Sequence, residues 1–555
     1  MPPIERRLRS GTAEALRLFH TARYLKPVQI YGRLWPQFDR GRPDGSPAPK
    51  LRARVGRWAP TAPRPVSLLA RWQVRLLNED GEIATATQWN DSGKPKLWLY
   101  NLHYFDDLGA PANAERRGVQ RELVARWIAE NPPGKGNGWD PYPVSVRIGN
   151  WIKWALAGEP LEPEWLNSLA MQTRWLVDHV EWHLLGNHVL ANAKALVLAG
   201  LFFGGAEAEA WLRAGLSIYA RELPEQILAD GAHFELSPMY HAIILEDLLD
   251  LINAARTYAR AGGQLFSDLP QITSRMRLWL AAMTHPDGRI SFFNDSAFGI
   301  AASRTDLEAY AARLRLAPAA EPGEGLHHLA ASGYVRVNCG QMAAILDLAA
   351  IGPDYNPGHA HADTLSFELS LGTERIVVNG GTSGYAPGSL RETERSTAAH
   401  STVEVGGQSS SEVWSSFRVA RRARVRDVSI DVSGSTVTVK ASHDGYRRLP
   451  GRPSHRREWH FDGLALTIID TVACRRVPDA LSRLHLGQGV AAEAEAAGRS
   501  GRLITAGGRV LHWTASNAAR IEPSVWSPEF GWRTATQTLT TPLEAGFLSM
   551  TLGWS

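Results

Sequence analysis

The chain has 555 residues, 44% of them apolar and 21% charged, with a formal net charge of +4 and a pI near 9.0. That is the balance of a globular protein, too long for one ordinary core and suited to two or three domains. Lys and Arg are scattered among nearly as many acids, which argues against a nucleic-acid partner and only weakly for an anionic one. Apolar runs such as Ala191 to Phe203 are interrupted by Asn192 and Lys194 and are too short to span a bilayer, so no membrane insertion is expected. Cys339 and Cys474 alone make no disulfide framework or cysteine metal site, although they leave a single pair open.

The start, MPPIERRLRSGTAEALRLFHTARYL, is basic and amphipathic, without an apolar core followed by a small-residue cleavage site. It predicts a cytoplasmic protein, with a non-standard export route left open. Residues 1–78 are rich in Arg and Pro and read as an arm or packing segment. From 79 to 322 the periodicity is helical: Arg121 to Glu130, Val144 to Ala157, Pro163 to His179, Trp182 to Phe203, Ala206 to Leu228, Pro238 to Ala261 and Leu269 to Thr284 carry apolar residues three and four apart. From 323 to 555 short alternating runs such as LSFELSL, RIVVNG and STVTVKASH predict an antiparallel β-sandwich. The fold class expected is α+β and multidomain, an incomplete (α/α) toroid followed by that sandwich. A helical solenoid is the alternative, but no self-similar repeat supports it.

Successive inner helices of a toroid recur at roughly 40 to 55 residues. Arg147, Asn187, Tyr240 and Asn294 are separated by 40, 53 and 54 residues, which predicts equivalent places at one end of a cleft. Gly186-Asn187-His188 opens a helix, so Asn187 and His188 fall in its first turn, where free N–H groups and the positive dipole end favour an anion such as a carboxylate. A buried pair bonded to neighbouring loops is the plainer reading. Ser237-Pro238-Met239-Tyr240-His241 reads as N-cap, first helical residue and first turn. The dipole there would favour phenolate at Tyr240 over its reference pKa of about 10; a packing tyrosine is the alternative.

Pro357-Gly-His-Ala-His-Ala-Asp-Thr-Leu-Ser-Phe367 packs two imidazoles and a carboxylate into five residues. If Thr364 to Leu371 is a strand, His359, His361 and Asp363 share one face, where they would bind a metal, move a proton or hold an anion. A solvated strand edge is the bland alternative. Asn379 and His400 follow on neighbouring runs; histidines on different strands converge on a metal readily, whereas Asn is a poorer ligand than Asp. The 20 tryptophans include several beside polar donors, a pairing that suits sugar rings, though most will be core.

Six blocks in order, WDPYPVSVRIGNWIKW, GNHVLANAKAL, DGAHFELSPMYH, FFND, GHAHADTLSFEL and RSTAAHSTVEV, resemble the heparinase II/III superfamily of polysaccharide lyases over roughly residues 95 to 430. The resemblance implies a toroid and sandwich with substrate between them, and β-elimination on a uronate polymer: heparan sulfate, chondroitin, hyaluronan or alginate. It implies Tyr240 as the catalytic tyrosine, Asn187 and His188 facing the uronate carboxylate, and His359 reaching the cleft from the β-domain. The same blocks supply Trp139, Tyr142, Arg147, Glu235, His241 and Asn294 as candidate substrate contacts. His361 and His400 match two ligands of a structural metal, zinc or manganese, with Asn379 where the superfamily usually has Asp; no organic cofactor is implied. Two rivals remain: a glycoside hydrolase using Glu235, Asp230, Glu246 or Asp295, and a non-catalytic polysaccharide-binding or biosynthesis-associated protein. Elimination needs no paired catalytic carboxylates, and none stands out.

Overall fold

The computed structural model describes residues 14–34, 41–259, 264–476 and 478–554. Helices Lys96–Tyr104, Ala114–Glu130, Pro141–Leu156, Pro163–Asp178, Gly186–Phe202, Ala206–Gln226, Pro238–Thr257, Gln264–Ala282 and Arg304–Arg313 form the first large body. Their apolar stripes close on one core that includes Trp127, Trp151, Leu196 and Leu248. The expected helix ends mostly shift by a turn or less. The largest change is at Arg121, where the helix already starts at Ala114 behind its cap Asn113; at Trp182 turns precede the helix start at Gly186, where Leu185 takes a left-handed φ of 63°.

A small three-stranded antiparallel sheet, Leu68–Ala70, Gln73–Leu76 and Glu79–Glu82, precedes the large helical body; from Gly325 on, the strands make two large antiparallel sheets, one of nine strands and one of eight. Val337, Phe367 and Leu369 of the nine-stranded sheet pack on Val439, Trp459 and Ile468 of the eight-stranded one. Strand Ser454–Phe461, in the eight-stranded sheet, keeps the alternation of a sheet with one wet face. Strands Met342–Asp347 and Phe367–Leu371 are buried throughout. The reason is a third layer: Ala232, Leu236, Trp279, Met283 and Phe293 of the helical body cluster with Tyr334, Ile345 and Ala349 of the nine-stranded sheet. The sheet therefore serves both as a face of the sandwich and as the floor on which the helical body rests.

One expected strand is shorter than predicted. It runs Phe367–Leu371, and residues 357–366 before it are turns and bends with Leu365 at φ 60°. His359, His361 and Asp363 consequently lie on a loop and share no strand face. Cys339 and Cys474 are unpaired thiols. Among the described residues no helix is long and apolar enough to cross a membrane.

Candidate active site

Two helix starts of the first body and one loop of the second meet where the bodies touch. Ser237 caps the helix Pro238–Thr257, its side chain accepting the Tyr240 N–H at 3.2 Å, with Pro238 at the first helical position as expected. This aims Tyr240 at the β-domain, where its ring stacks on His359 with centroids 3.9 Å apart. Asn187, in the first turn of Gly186–Phe202, brings its amide nitrogen to 3.4 Å from His359 Nε2. That nitrogen is oriented by Glu235, whose two oxygens lie 3.1 and 2.9 Å away. Gly186 makes the approach possible: its φ is +57°, and a Cβ there would fall 2.3 Å from Glu235 Oε1.

Asp295 ties the site together. It is fully buried and accepts both Arg391 guanidinium nitrogens at 2.5 and 2.7 Å, His359 Nδ1 at 2.9 Å and His361 Nε2 at 2.8 Å. Burial alone would push its carboxyl up, but Arg391 and the two imidazoles hold it well below the usual carboxylate range. With Nδ1 donating to Asp295, His359 presents a bare Nε2 to Asn187.

The Tyr240 hydroxyl meets that of Tyr385 at 3.0 Å. Arg391 lies over the Tyr385 ring at 4.9 Å, and Phe417, 43% exposed, packs edge-on to both Tyr385 and His359. Burial raises the Tyr240 phenol well above its ordinary range. This reverses the expectation of a dipole-favoured phenolate, because desolvation of a buried anion outweighs one helix end. His188 lies 3.2 Å from Glu181 and 4.7 Å, ring to ring, from Tyr142. Burial works against charge on His188, but Glu181 outweighs it and raises its pKa.

Several expected contacts sit elsewhere. Arg147 is wholly buried, its guanidinium 3.8 Å above Trp127 and bonded to Gln172 and the carbonyls of His103 and Gly138, so it braces the core. Trp139 packs between Trp127 and Trp175 in that same core. His241 is held between the Met276 carbonyl and the His233 N–H. Asn294, at φ 56°, bonds to the Leu236 carbonyl and to the His361 N–H, shaping the loop from beneath. The regular pitch therefore places Asn187 and Tyr240 together, while Arg147 and Asn294 are structural. Glu235 reaches the site as the partner of Asn187, and Tyr142 as the neighbour of His188.

The metal set is only partly assembled. His361 Nδ1 and His400 Nε2 face each other at 3.1 Å, with their other nitrogens bonded to Asp295 and to the Ser396 carbonyl, as outer partners orient metal-binding imidazoles. Asn379 does not complete them: its oxygen accepts the Ser401 N–H and its nitrogen donates to Ser366. Among the described residues no three His, Cys, Asp or Glu side chains form a metal-sized group. Two imidazoles without a third ligand do not fit a closed divalent site.

The hydrolase acids are also committed to other partners. Asp295 is paired with Arg391, Glu246 with Arg64 and Lys153, Asp230 with Ser332, and Glu235 with Asn187. Sequence reading missed Tyr385 and Arg391 altogether and gave Asp295 the wrong role; FFND at 292–295 was the one visible signal.

Known proteins agree with this architecture. The chain matches the heparinase II/III N-terminus over residues 102–318 and the heparinase II/III-like C-terminal region over 321–554. It belongs to the heparinase II/III family. It is similar to a heparin-sulfate lyase of Pedobacter heparinus, 25% identical over 319 residues covering 51% of this chain and 47% of that one. A heparin-sulfate lyase of Bacteroides thetaiotaomicron is 29% identical over 194 residues, 32% of this chain and 27% of that one. The chain thus spans less than half the length of these two relatives. The crystal structure of a heparinase III superposes with a TM-score of 0.65 at 18% identity, covering 86% of this chain and 78% of that one, a likeness of fold.

Proposed function

We propose that this protein is a polysaccharide lyase that cleaves a uronate-containing glycosaminoglycan by β-elimination, leaving an unsaturated uronate end. The observation that carries this reading is the convergence of Tyr240, Asn187 and His359, from two separate bodies, on one point. The family and the heparin-sulfate lyase relatives support glycosaminoglycan as the polymer class.

Elimination removes the proton at C5, builds charge on the adjoining carboxylate and expels the oxygen at C4. Developing charge needs donors already in place. His188, whose protonated form Glu181 favours against burial, and the Asn187 amide supply them. His359 takes the C5 proton on Nε2, the nitrogen left bare by its bond to Asp295. Tyr240, kept protonated by burial, gives its proton to the leaving oxygen. His359 is thus the base and Tyr240 the acid, with His188 beside the carboxylate. Phe417 offers an exposed ring for a sugar face at the mouth.

The test is incubation with heparan sulfate, chondroitin sulfate, hyaluronan and alginate, read by ultraviolet absorbance of the C4–C5 double bond. Absorbing product from a glycosaminoglycan, absent in Tyr240→Phe, is the expected result. Reducing ends without absorbance would indicate hydrolysis, and no cleavage of any polymer would indicate a binding protein; either outcome overturns the proposal.

A further inference from the structure

Two hairpin tips meet beside Tyr240. The first joins strands Gln73–Leu76 and Glu79–Glu82 through Leu77 and Asn78, at φ 54° and 59°. A two-residue turn with both φ positive is of the primed type, which suits Asn-Gly and strains a leucine. The strain has a local reason: Leu77 packs, with Leu97, against an apolar cluster that contains Tyr240 and Phe530. The hairpin itself is anchored to the helical body. A Cβ on Gly81 would fall 2.2 Å from the Trp98 ring, and the Trp98 indole N–H donates to the Glu79 carbonyl at 3.1 Å.

The second tip, Phe530 and Gly531, joins strands Arg520–Glu529 and Trp532–Pro542 of the nine-stranded sheet. Asn78 Nδ2 donates to the Phe530 carbonyl and to Glu529 Oε2, each at 3.0 Å. Gly531 comes so close to the first tip that a Cβ there would fall 2.1 Å from the Leu77 carbonyl oxygen. Its N–H donates to the Ser383 carbonyl at 2.8 Å, which ties down the loop that carries Tyr385. The Phe530 ring then stands 5.1 Å from that of Tyr385, whose hydroxyl meets that of Tyr240. Helical body and sandwich are thus joined one ring beyond the Tyr240 hydroxyl. Toward His188 the site is open instead: that side chain is 29% exposed, and Tyr142 beside it is half-buried.

We propose that the joined tips wall off one end of the cleft, so that the protein works on the non-reducing ends of polymer chains and not within them. This rests on the elimination reading above, with the uronate carboxylate at Asn187 and His188 and the leaving oxygen at Tyr240. Sugars on the leaving side are those toward the non-reducing end, and there the wall admits only a short stub. Sugars on the other side run out past His188 without limit. The repeating unit of a glycosaminoglycan is a disaccharide, so each cycle releases one. The C5–H and C4–O bonds break, the C4–C5 double bond forms on the shortened polymer, and the next disaccharide released carries it.

Heparan sulfate and chondroitin sulfate carrying a fluorophore at the reducing end test this, with size-exclusion chromatography of samples taken early in digestion. Disaccharide should be the main small product from the first samples, while the fluorophore stays on nearly full-length polymer. The double variant Leu77→Gly with Asn78→Gly keeps a turn sequence that the primed type accepts, and it removes both the Leu77 side chain and the bonds to the second tip. Its products should include fragments several repeats long, and the labelled polymer should shorten at once. Labelled fragments of intermediate size from the unaltered chain overturn the proposal and leave elimination standing. So does a product pattern that the double variant leaves unchanged. No absorbing product from either polymer overturns the elimination reading, and the proposal with it.

Discussion

The Tyr240 hydroxyl lies 3.0 Å from the Tyr385 hydroxyl, so the proposed proton donor shares a hydrogen bond with a second phenol. Tyr240 is buried and Tyr385 half-buried, and desolvation keeps both hydroxyls protonated. Tyr385→Phe removes the bond and nothing larger. A hydrogen bond of this kind is worth about 0.5–1.5 kcal/mol, so kcat should fall by up to about tenfold with the melting temperature little changed. Steady-state kinetics beside a thermal melt would check it, and an unchanged kcat would detach Tyr385 from the reaction.

Asp295→Asn should be costly in a different way. The carboxylate balances Arg391 and fixes His359 and His361 together, and losing one partner of a buried pair costs about 3–5 kcal/mol. A lowered melting temperature and near-complete loss of product are expected. A variant that melts normally yet loses activity would assign Asp295 to orienting His359 alone.

Glu235→Gln keeps the size of the side chain but turns an amide N–H₂ toward the Asn187 amide, which now donates to both carboxylate oxygens. One of the two acceptors becomes a donor, so Asn187 keeps a single bond to residue 235 and is held less firmly beside His359. The expected result is a fall in kcat/KM of tenfold or more, about 1.4 kcal/mol of transition-state binding, with the fold retained. Full activity would remove Glu235 from any orienting role.

Stability should decline in mild acid. His103 donates through Nε2 to the Trp89 carbonyl and accepts the Trp127 indole N–H on Nδ1, and His241 is gripped likewise by Met276 and His233. A second proton has no place on either ring, and burial pushes both down to about 3 from 6.5. Between these values the unfolded chain binds a proton that the native chain refuses. Stability therefore falls as pH drops below about 6.5, by up to about 1.4 kcal/mol per pH unit for each histidine. Melts from neutral pH to about pH 5 would show the slope, and His103→Gln should make it shallower.

The two-body fold was legible because its grammar is periodic. Seven amphipathic runs and a change to short alternating ones are properties of neighbours in sequence. Asn187 and Tyr240 were legible for a related reason, since a helix start is marked by Gly186 or by Ser237-Pro238 and places its first-turn residues. Arg147 misled because a helix position says nothing about which way a long side chain turns; Trp127 and two carbonyls claim it. Asp295 was hidden because the two histidines and the arginine that reach it lie 64, 66 and 96 residues on, and Tyr385 because it meets Tyr240 across 145. The shared face drawn for His359 and His361 failed because their segment turns before the strand begins, and one carboxylate receives both rings instead.

The pairing of His359 with Asp295 crosses from the sandwich to the loop before the last helix of the helical body. Neither body owns a working set of groups, so turnover reports whether the two are seated together. Mild denaturant that loosens the seam around Trp279 and Tyr334 should silence the protein while each body still gives its full far-ultraviolet signal. Activity is then a gauge of assembly, far more sensitive than any measure of secondary structure.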